Sequence, residues 1–391
     1  MSCYLNALGV ICNLGAGKAA VAEALFASDA THLPSREGWV PEHALPLGAV
    51  DIALPAPPSA LAERDNRNNR LLLAAASEIE ADIRAAIARY GGSRIGVAIG
   101  TSTTAIEEAT QGIDGYRRDG AWPAAYRYSQ QELGAPAEFL AEWLDLGGPC
   151  FGISTACTSG ARALISAQRL LRLGLCDAVL CGGVDTLSRL PVNGFFALEA
   201  TDPEGCNPFS ANRRGIAIGE AAALFLMTRE PGPVQYLGGG ASSDAHHMSS
   251  PEPQGLGAQQ AMRAALDDAG LDAGRIDYVN LHGTATEQND QMESIAMAAV
   301  FADGVPCSST KALTGHTLGA AGALEAAFCW LALRDGRLPP HIWDGVADPN
   351  LPALHFVTPG SRLSAERPHR VMSNSFAFGG NNACVILGDA A

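Results

Sequence analysis

Hydrophobic and polar residues follow two alternating patterns along the chain. Apolar residues recur at helical spacing in three segments that end at Gly91, Gly174 and Gly270; their stripes are Ile79, Ile83 and Ile87, then Ala161, Leu164, Ala167 and Leu171, then Met262, Ala265, Leu266 and Ala269. Short apolar runs typical of buried strands lie between the stripes: RIGVAIG (94–100), PCFGIST (149–155), DAVLCGG (177–183) and IDYVNL (276–281). Strands that alternate with amphipathic helices predict a layered α/β protein.

A long Ala/Leu-rich helix is predicted over about 316–334. Arg334 falls in its last turn, Gly336 follows, and Pro339-Pro340 forbid continuation. We expect His316 to open this helix, where the dipole disfavours an imidazolium and keeps the ring neutral.

A faint internal repeat relates the two parts of the chain. GEAAALFL (219–226) resembles GNNACVIL (380–387), and each follows a glycine-rich turn. TREPGPVQ (228–235) is the best linker between them. The pattern predicts a duplicated α/β unit with halves at 1–229 and 230–391.

Composition narrows the function classes. Of 391 residues 47% are hydrophobic and 17% charged, so a large core is available. A net charge of −15 argues against nucleic-acid binding, and no apolar run is long enough to predict a membrane span. The chain start lacks the basic residues of a secretory signal.

The ten cysteines include no CxxC pair and no Cys/His ligand spacing. Most lie in apolar runs, as small buried side chains do in a reducing compartment, so we expect a cytoplasmic protein without a metal site or disulfides. Of the 26 basic residues only two, Lys18 and Lys311, are lysines. In a chain whose other basic residues are all arginine, a lysine either has a role that arginine cannot fill or has no special role.

Cys157 in GISTACTSG is the first candidate for chemistry. A strand-like run leads directly into a helix, and small polar residues surround the cysteine. The unpaired N–H groups of a helix N-terminus favour a thiolate, so we expect a lowered pKa for Cys157. The same turn can offer a backbone N–H to an oxyanion. The alternative is an ordinary buried cysteine.

Three further candidates lie at turns in the second half. His282 follows the run IDYVNL, at the strand end where open α/β sheets bind ligands. Lys311 and His316 lie five residues apart in STKALTGH. The alternative for His282 is a capping or turn histidine, and Lys311 or His316 alone would mean little. Together, in Gly/Thr-rich turns, the three residues indicate a site. SNSFAFGGNN (373–382) adds a polar turn in which Phe376 or Phe378 could line a pocket rather than a core.

TACTSG, HGTAT, STKALTGHTLGAAG and NSFAFGGNN occur in this order, with SDAHHMSSPEPQG and NPFSANRRGIAIGE between them. In these blocks the chain resembles the β-ketoacyl-[acyl carrier protein] synthases of the thiolase superfamily, over nearly its whole length. The type it resembles is the elongating Cys-His-His synthase. The resemblance implies a duplicated thiolase-like α/β fold, layered α-β-α-β-α with two pseudo-symmetric halves. It also implies a homodimer, or a heterodimer with a related synthase-fold chain.

The resemblance assigns a role to each block. Cys157 would hold the acyl chain, His282 and His316 would bind the malonyl thioester carbonyl, and the backbone N–H groups of Cys157 and Phe378 would hold the oxyanion. Lys311 would orient the site with Glu325 as its charge partner. Thr284 and Thr286 would bind the pantetheine arm, Phe376 would contact substrate, and Phe378 would act as a gate. The phosphopantetheine belongs to the carrier protein, so no cofactor or metal is implied.

The acyl carrier protein implied as partner is acidic, so a local basic patch must dock it on this acidic chain. By resemblance, Arg67, Arg70 and Arg213 lie on the docking side; each could equally belong to a solvated charged face.

One departure bears on the substrate. TSTTAIEEA (101–109) stands where the family usually has a glycine-rich stretch beside the acyl pocket, so Thr103, Thr104, Ala105 and Ile106 could reshape that pocket. A dedicated synthase for a polyene or polyketide-type product therefore stays open beside fatty acid elongation. A non-catalytic chain-length partner is disfavoured, because such chains lack the nucleophile that Cys157 supplies.

Overall fold

The computed structural model describes residues 2–27 and 33–390. In these ranges fifteen β-strands alternate with eleven α-helices. The strands are β1 (Cys3–Cys12), β2 (Gly15–Ala16), β3 (Ser35–Val40), β4 (His43–Gly48), β5 (Ile95–Gly100), β6 (Cys150–Ile153), β7 (Ala178–Asp185), β8 (Ile218–Gly219), β9 (Ala221–Thr228), β10 (Val234–Ser243), β11 (Tyr278–Asn280), β12 (Pro306–Ser308), β13 (His355–Phe356), β14 (Arg370–Ala377) and β15 (Asn381–Asp389). The helices are α1 (Lys18–Leu25), α2 (Arg67–Glu78), α3 (Glu80–Tyr90), α4 (Ile106–Asp119), α5 (Ala135–Leu144), α6 (Ser159–Arg172), α7 (Arg189–Ala197), α8 (Leu256–Ala269), α9 (Glu287–Val300), α10 (Lys311–Thr314) and α11 (Ala321–Asp335).

Two runs of strands repeat the same order. The first run is β6-β5-β7-β9-β1 and the second is β12-β11-β14-β15-β10, with β13 beyond β12. β1 and β10 join the runs by a short antiparallel contact of Cys3–Leu5 with Val234–Tyr236. β3, β4 and β8 form a separate small sheet. β9 and β15, which contain the two similar octamers, occupy matching positions. The duplicated α/β fold predicted from the sequence is confirmed, whereas the boundary at 229/230 stays a prediction.

Helices cover both runs and fill the space between them. α2, α3 and α5 bury side chains such as Ile83 against the outer face of the first run. α8 and α9 do the same for the second run, with Met262 among the buried residues. α6 and α11 lie between the runs, and Leu164 and Phe328 belong to this middle core. The result is the expected α-β-α-β-α layering.

α6 and α11 approach each other so closely that backbone meets backbone. A Cβ at Gly160 of α6 would lie 2.6 Å from the amide nitrogen of Ala323, and one at Gly322 of α11 would lie 2.8 Å from that of Ala161. Only glycine fits at such a contact. The backbones of the two helices that follow the catalytic candidates are thus in direct contact at this crossing.

The predicted helix over 316–334 begins five residues later than expected, at Ala321. Gly315 and Leu318 have left-handed backbone conformations, with φ of 68° and 51°. Between them His316 forms a bridge with Ile218. A helix cannot pass through left-handed residues, so His316 lies in an extended turn ahead of α11.

Candidate active site

Cys157 lies in the turn between β6 and α6. Ser159 closes this turn, because its hydroxyl accepts the Thr155 N–H at 2.9 Å and donates to the Ala156 carbonyl at 2.5 Å. Ala156 has a φ of 51°, a conformation that costs a non-glycine residue roughly 1 kcal/mol. Cys157 is 7% exposed. Backbone strain like that of Ala156 concentrates at functional turns.

The expected lowering of the Cys157 pKa is wrong. Burial raises the pKa of this thiol to about 12, against the opposing pull of the Lys311 charge. The sequence reveals the helix start but not how completely the sulfur is desolvated. A neutral thiol needs a proton acceptor to become a nucleophile. Nε2 of His316 lies 3.0 Å from Sγ.

His282 lies two residues beyond β11 and is 2% exposed. The amides of His282 and Gly283 donate to the two carboxylate oxygens of Glu293 in α9, at 2.8 and 2.7 Å. The His282 ring meets the His316 ring edge to face, with centroids 5.2 Å apart. The two imidazoles therefore converge from different segments, His282 from the loop after β11 and His316 from the turn between α10 and α11.

Lys311, the first residue of α10, ties these groups together. Its ammonium donates to the carboxylate of Glu325 in α11 and to the carbonyl of His282. Nζ also lies 3.4 Å from Nδ1 of His282. Since an ammonium can only donate, Nδ1 accepts, and the single proton of neutral His282 lies on Nε2.

Both histidines are neutral. Burial lowers the pKa of His282 and of His316 well below the ordinary value, and the Lys311 charge lowers both further. The helix dipole proposed from the sequence is not the cause for His316, which precedes α11. Each ring therefore has one N–H to donate.

The donor atoms of Cys157, His282 and His316 lie within 4.8 Å of one another, so these three side chains could also ligate a metal ion. Two imidazoles and a thiol form a donor set that suits zinc. The Lys311 ammonium beside His282 opposes a second cation there. The expectation that no metal is bound stays a prediction.

A cavity of about 180 Å³ opens onto these groups. Thr284 and Thr286 line it, with their hydroxyl oxygens 3.0 Å apart. Phe376 is 4% exposed and lies behind His282, with ring centroids 6.0 Å apart. Phe378 is 38% exposed and packs on Phe195, with ring centroids 5.4 Å apart. Both side chains line the cavity, Phe376 as a buried part of its wall and Phe378 as a partly exposed one. The gating role of Phe378 stays a prediction.

The departure at 101–109 does not reach this cavity. Thr103, Thr104 and Ala105 are buried. In the described part of the chain, neither they nor Ile106 line the cavity at Cys157. A direct effect of these residues on the acyl pocket stays a prediction.

The three arginines expected to dock a carrier protein lie in different surroundings. The side chains of Arg67 and Arg70 on α2 are 41% and 39% exposed. Arg67 pairs with the buried carboxylate of Glu220, and Arg70 with Asp65 at 2.6 Å. Both keep an exposed edge that could meet an acidic partner.

Arg213 does not face solvent. Its side chain is 7% exposed and Nη1 donates to Asp348 at 2.6 Å and to the Ser210 carbonyl at 2.8 Å. The guanidinium joins the loop after α7 to the loop before β13. This burial argues against the sequence-based expectation for Arg213, because a guanidinium held in an internal ion pair presents little surface to a separate protein.

We expect Arg213→Ala to lower the free energy of unfolding by about 2 kcal/mol, because Asp348 and the Ser210 carbonyl lose a buried donor. Urea denaturation measures this change. Arg214→Ala is the matched control, since the neighbouring side chain is 62% exposed. Unchanged stability together with weaker carrier-protein binding in Arg213→Ala would restore the docking role.

Two buried carboxylates at the site escaped the sequence analysis. Glu293 holds the His282 turn, as described, and Asp185 ends β7 with no exposed surface. A weak signal exists for Asp185, since an acidic residue closes the apolar run 178–184. Glu293 lies in a helix of mixed polarity that gives no comparable signal.

Within residues 2–27 and 33–390, no helix combines the length and the apolar character needed to cross a membrane.

Solved structures of ketosynthases share the whole fold. A ketosynthase (ApeO) in complex with its chain length factor (ApeC) from Xenorhabdus doucetiae is 49% identical, with a TM-score of 0.94, and the match covers 100% of this chain and 98% of that one. The ishigamide ketosynthase/chain length factor is 28% identical with a TM-score of 0.89, over 100% of this chain and 99% of that one. The thiolase-like fold implied by the motifs is confirmed.

The N-terminal domain model of β-ketoacyl synthases matches residues 53–231, and the C-terminal domain model matches residues 235–343. The chain belongs to the β-ketoacyl synthase family. Nodulation protein E of Rhizobium meliloti is 40% identical over 257 residues, which are 62% of this chain and 63% of that protein. 3-Oxoacyl-[acyl-carrier-protein] synthase 2 of Coxiella burnetii is 37% identical over 262 residues, 62% of each chain. The matches thus span less than two thirds of these curated relatives.

Proposed function

We propose that this protein is a 3-oxoacyl-[acyl carrier protein] synthase. It transfers an acyl group to Cys157 and condenses it with malonyl-[acyl carrier protein], with loss of carbon dioxide. The observation that carries the proposal is the meeting of Cys157, His282 and His316 within 4.8 Å, with Lys311 fixing the proton of His282. The names of the ketosynthase and synthase relatives support the same reaction.

In the first half-reaction Cys157 attacks the thioester of an acyl carrier protein. Nε2 of His316, 3.0 Å from Sγ, takes the thiol proton as the new carbon–sulfur bond forms. The proton then passes to the departing pantetheine sulfur, so His316 is neutral again at the end. The raised pKa of Cys157 makes this transfer part of the attack rather than a step before it.

In the second half-reaction the malonyl thioester occupies the cavity with its arm along Thr284 and Thr286. The carbon–carboxylate bond breaks, carbon dioxide leaves, and the electron pair forms a thioester enolate. Once the sulfur is acylated it no longer donates to His316, and the His316 proton moves from Nδ1 to Nε2. The Nε2–H groups of His282 and His316 then stabilise that charge. Each well-placed donor contributes roughly a hundredfold in rate.

The enolate carbon then attacks the acyl carbonyl on Cys157. Backbone N–H groups of Cys157 and Phe378 hold the tetrahedral oxyanion. Its collapse releases the 3-oxoacyl product and the Cys157 thiolate, which takes up one proton. Loss of carbon dioxide drives the reaction, so no cofactor or metal is needed. The substrates reach the site on phosphopantetheine carriers, and we place the protein in the cytoplasm.

We expect His282→Ala to retain an acyl group on Cys157, and His316→Ala to load one more slowly because Nε2 no longer takes the thiol proton. Each variant should lose about a hundredfold in decarboxylation of malonyl-carrier protein. Each variant removes one donor from the enolate, whereas the nucleophile remains. Intact-protein mass spectrometry measures loading, and released carbon dioxide measures decarboxylation. Near-normal carbon dioxide release in both single variants would remove the proposed function from these residues.

A second candidate is a dedicated ketosynthase of a polyene or polyketide-type pathway that works with a related, non-catalytic chain. It is supported by two similar solved proteins that are ketosynthases with chain length factors. The acyl chain retained on Cys157 in His282→Ala distinguishes the candidates by mass spectrometry. A polyunsaturated chain supports the specialised pathway, and a saturated chain supports fatty acid elongation. Chromatography of co-expressed chains separates a homodimer from a heterodimer.

A further inference from the structure

The fully buried carboxylate of Asp185 lies where β7 ends and receives an unusual number of hydrogen bonds. Oδ1 accepts from the hydroxyls of Thr101 and Thr103 at 2.7 and 2.8 Å and from the Thr103 amide at 2.9 Å. Ser102 donates its amide and its hydroxyl. These three residues open the segment 101–109, whose departure from the family pattern the mechanism does not explain.

The remaining donor to Asp185 comes from the second half of the chain. The Gly319 amide donates to Oδ2 at 2.6 Å. There is no room between them for a larger residue, since a Cβ at Gly319 would lie 2.6 Å from that oxygen. Asp185 therefore joins the turn after β5 to the turn that contains His316.

The turn around His316 needs such an anchor. On one side the His316 amide donates to Ala217 at 2.6 Å, and the His316 carbonyl accepts from Gly219 at 3.0 Å. On the other side Leu318 has a left-handed φ of 51°, which a leucine adopts only under constraint. The Gly319–Asp185 bond directly follows Leu318 and supplies that constraint.

We propose that Asp185 is a positioning residue that holds Nε2 of His316 at the sulfur of Cys157, through the amide of Gly319. Its consequence for turnover rests on the proposed condensing function, but the positioning itself does not. In this view the hydroxyl-rich turn 101–103 serves the catalytic histidine rather than the acyl pocket.

Asp185→Asn tests the link. Both carboxylate oxygens accept backbone N–H groups, so either orientation of an amide places its own N–H₂ against a donor. The readout is the rate at which iodoacetamide alkylates Cys157, followed on its peptide by mass spectrometry, which needs no carrier protein. Alkylation of the exposed Cys150 calibrates each sample.

We expect Asp185→Asn to slow Cys157 alkylation about tenfold, as His316 loses its position as proton acceptor. In a His316→Ala background the same substitution should change the rate less than twofold, because the residue through which it acts is gone. A direct effect of the Asp185 charge on the thiol has the opposite sign, since removing a nearby negative charge favours the thiolate. Faster alkylation, or equal slowing in both backgrounds, would overturn the proposal.

Asp389→Asn is the control for loss of a buried carboxylate. Its side chain is 7% exposed and accepts the His369 amide at 2.8 Å, at the end of β15 remote from the cavity. This variant should alkylate at the wild-type rate. Should Asp185→Asn fail to fold, Ser102→Ala removes one donor to Asp185 and one acceptor of the Gly319 amide. About threefold slower alkylation that depends on His316 then supports the proposal, and an unchanged rate overturns it. Wild-type condensation, measured separately, tests the proposed function.

Discussion

Cys157→Ala is expected to abolish both acyl loading and condensation. Alanine keeps the turn between β6 and α6 but removes the sulfur that His316 contacts at 3.0 Å. The residual chemistry of the two histidines cannot hold an acyl chain through the second half-reaction. Acyl-enzyme formation by mass spectrometry and condensation rate are the measurements.

Two other cysteines are the controls for this substitution. Cys150 is exposed on β6, and Cys181 is buried in β7. Cys150→Ala and Cys181→Ala should both keep measurable activity, because neither sulfur lines the cavity of the described chain. An electrophile that mimics an unsaturated acyl chain should label Cys157. Labelling of another cysteine with loss of activity would mean that the nucleophile is misassigned.

Lys311→Arg is expected to lose about a hundredfold in condensation although it keeps the charge. The Lys311 side chain is 1% exposed, and its ammonium is enclosed by the His282 carbonyl, Nδ1 of His282 and the Glu325 carboxylate. A guanidinium is larger and planar and requires a fork of acceptors that this enclosure lacks. The arginine would displace the His282 ring, and the ammonium that keeps the proton of His282 on Nε2 and orients that N–H would be gone.

Lys18→Arg is the matched control, since the only other lysine of the chain makes a similar contact away from the site. Its ammonium donates to the Leu8 carbonyl at 2.6 Å and to Glu78 at 2.8 Å, and its side chain is 34% exposed. An arginine has room there, so the condensation rate should not change. Melting temperatures of both variants show whether they fold. A Lys311→Arg variant with the wild-type rate would show that only the charge matters.

The strands and helices were largely predictable because their apolar residues repeat locally. The run 94–100 contains β5, and the stripe from Met262 to Ala269 lies in α8. The start of α11 was not predictable, because the left-handed Leu318 that displaces it precedes Gly319, whose amide bonds to Asp185, 134 positions away in the chain. Local sequence cannot show a conformation imposed by a distant partner.

The same limit applies to the site. The residue types and their order are evident in the sequence, and the pairing of Glu325 with Lys311 that the family resemblance implies is present in the structure. The raised pKa of Cys157 was not predictable, because the burial of its sulfur depends on how the two halves pack together. The burial of Arg213 was missed for the same reason, since its partner Asp348 lies in a distant loop.

The contact of α6 with α11 at Gly160 and Gly322 has a consequence for protein engineering. Cys157 precedes one of these helices and His316 precedes the other, so the distance from sulfur to imidazole depends on how the halves dock. A hybrid synthase assembled from the first half of one family member and the second half of another inherits an intact nucleophile turn and an intact histidine turn. It will nonetheless be inactive unless both parent proteins have glycine at this crossing. One added methyl group there would push the helices apart and separate the sulfur of Cys157 from the ring of His316.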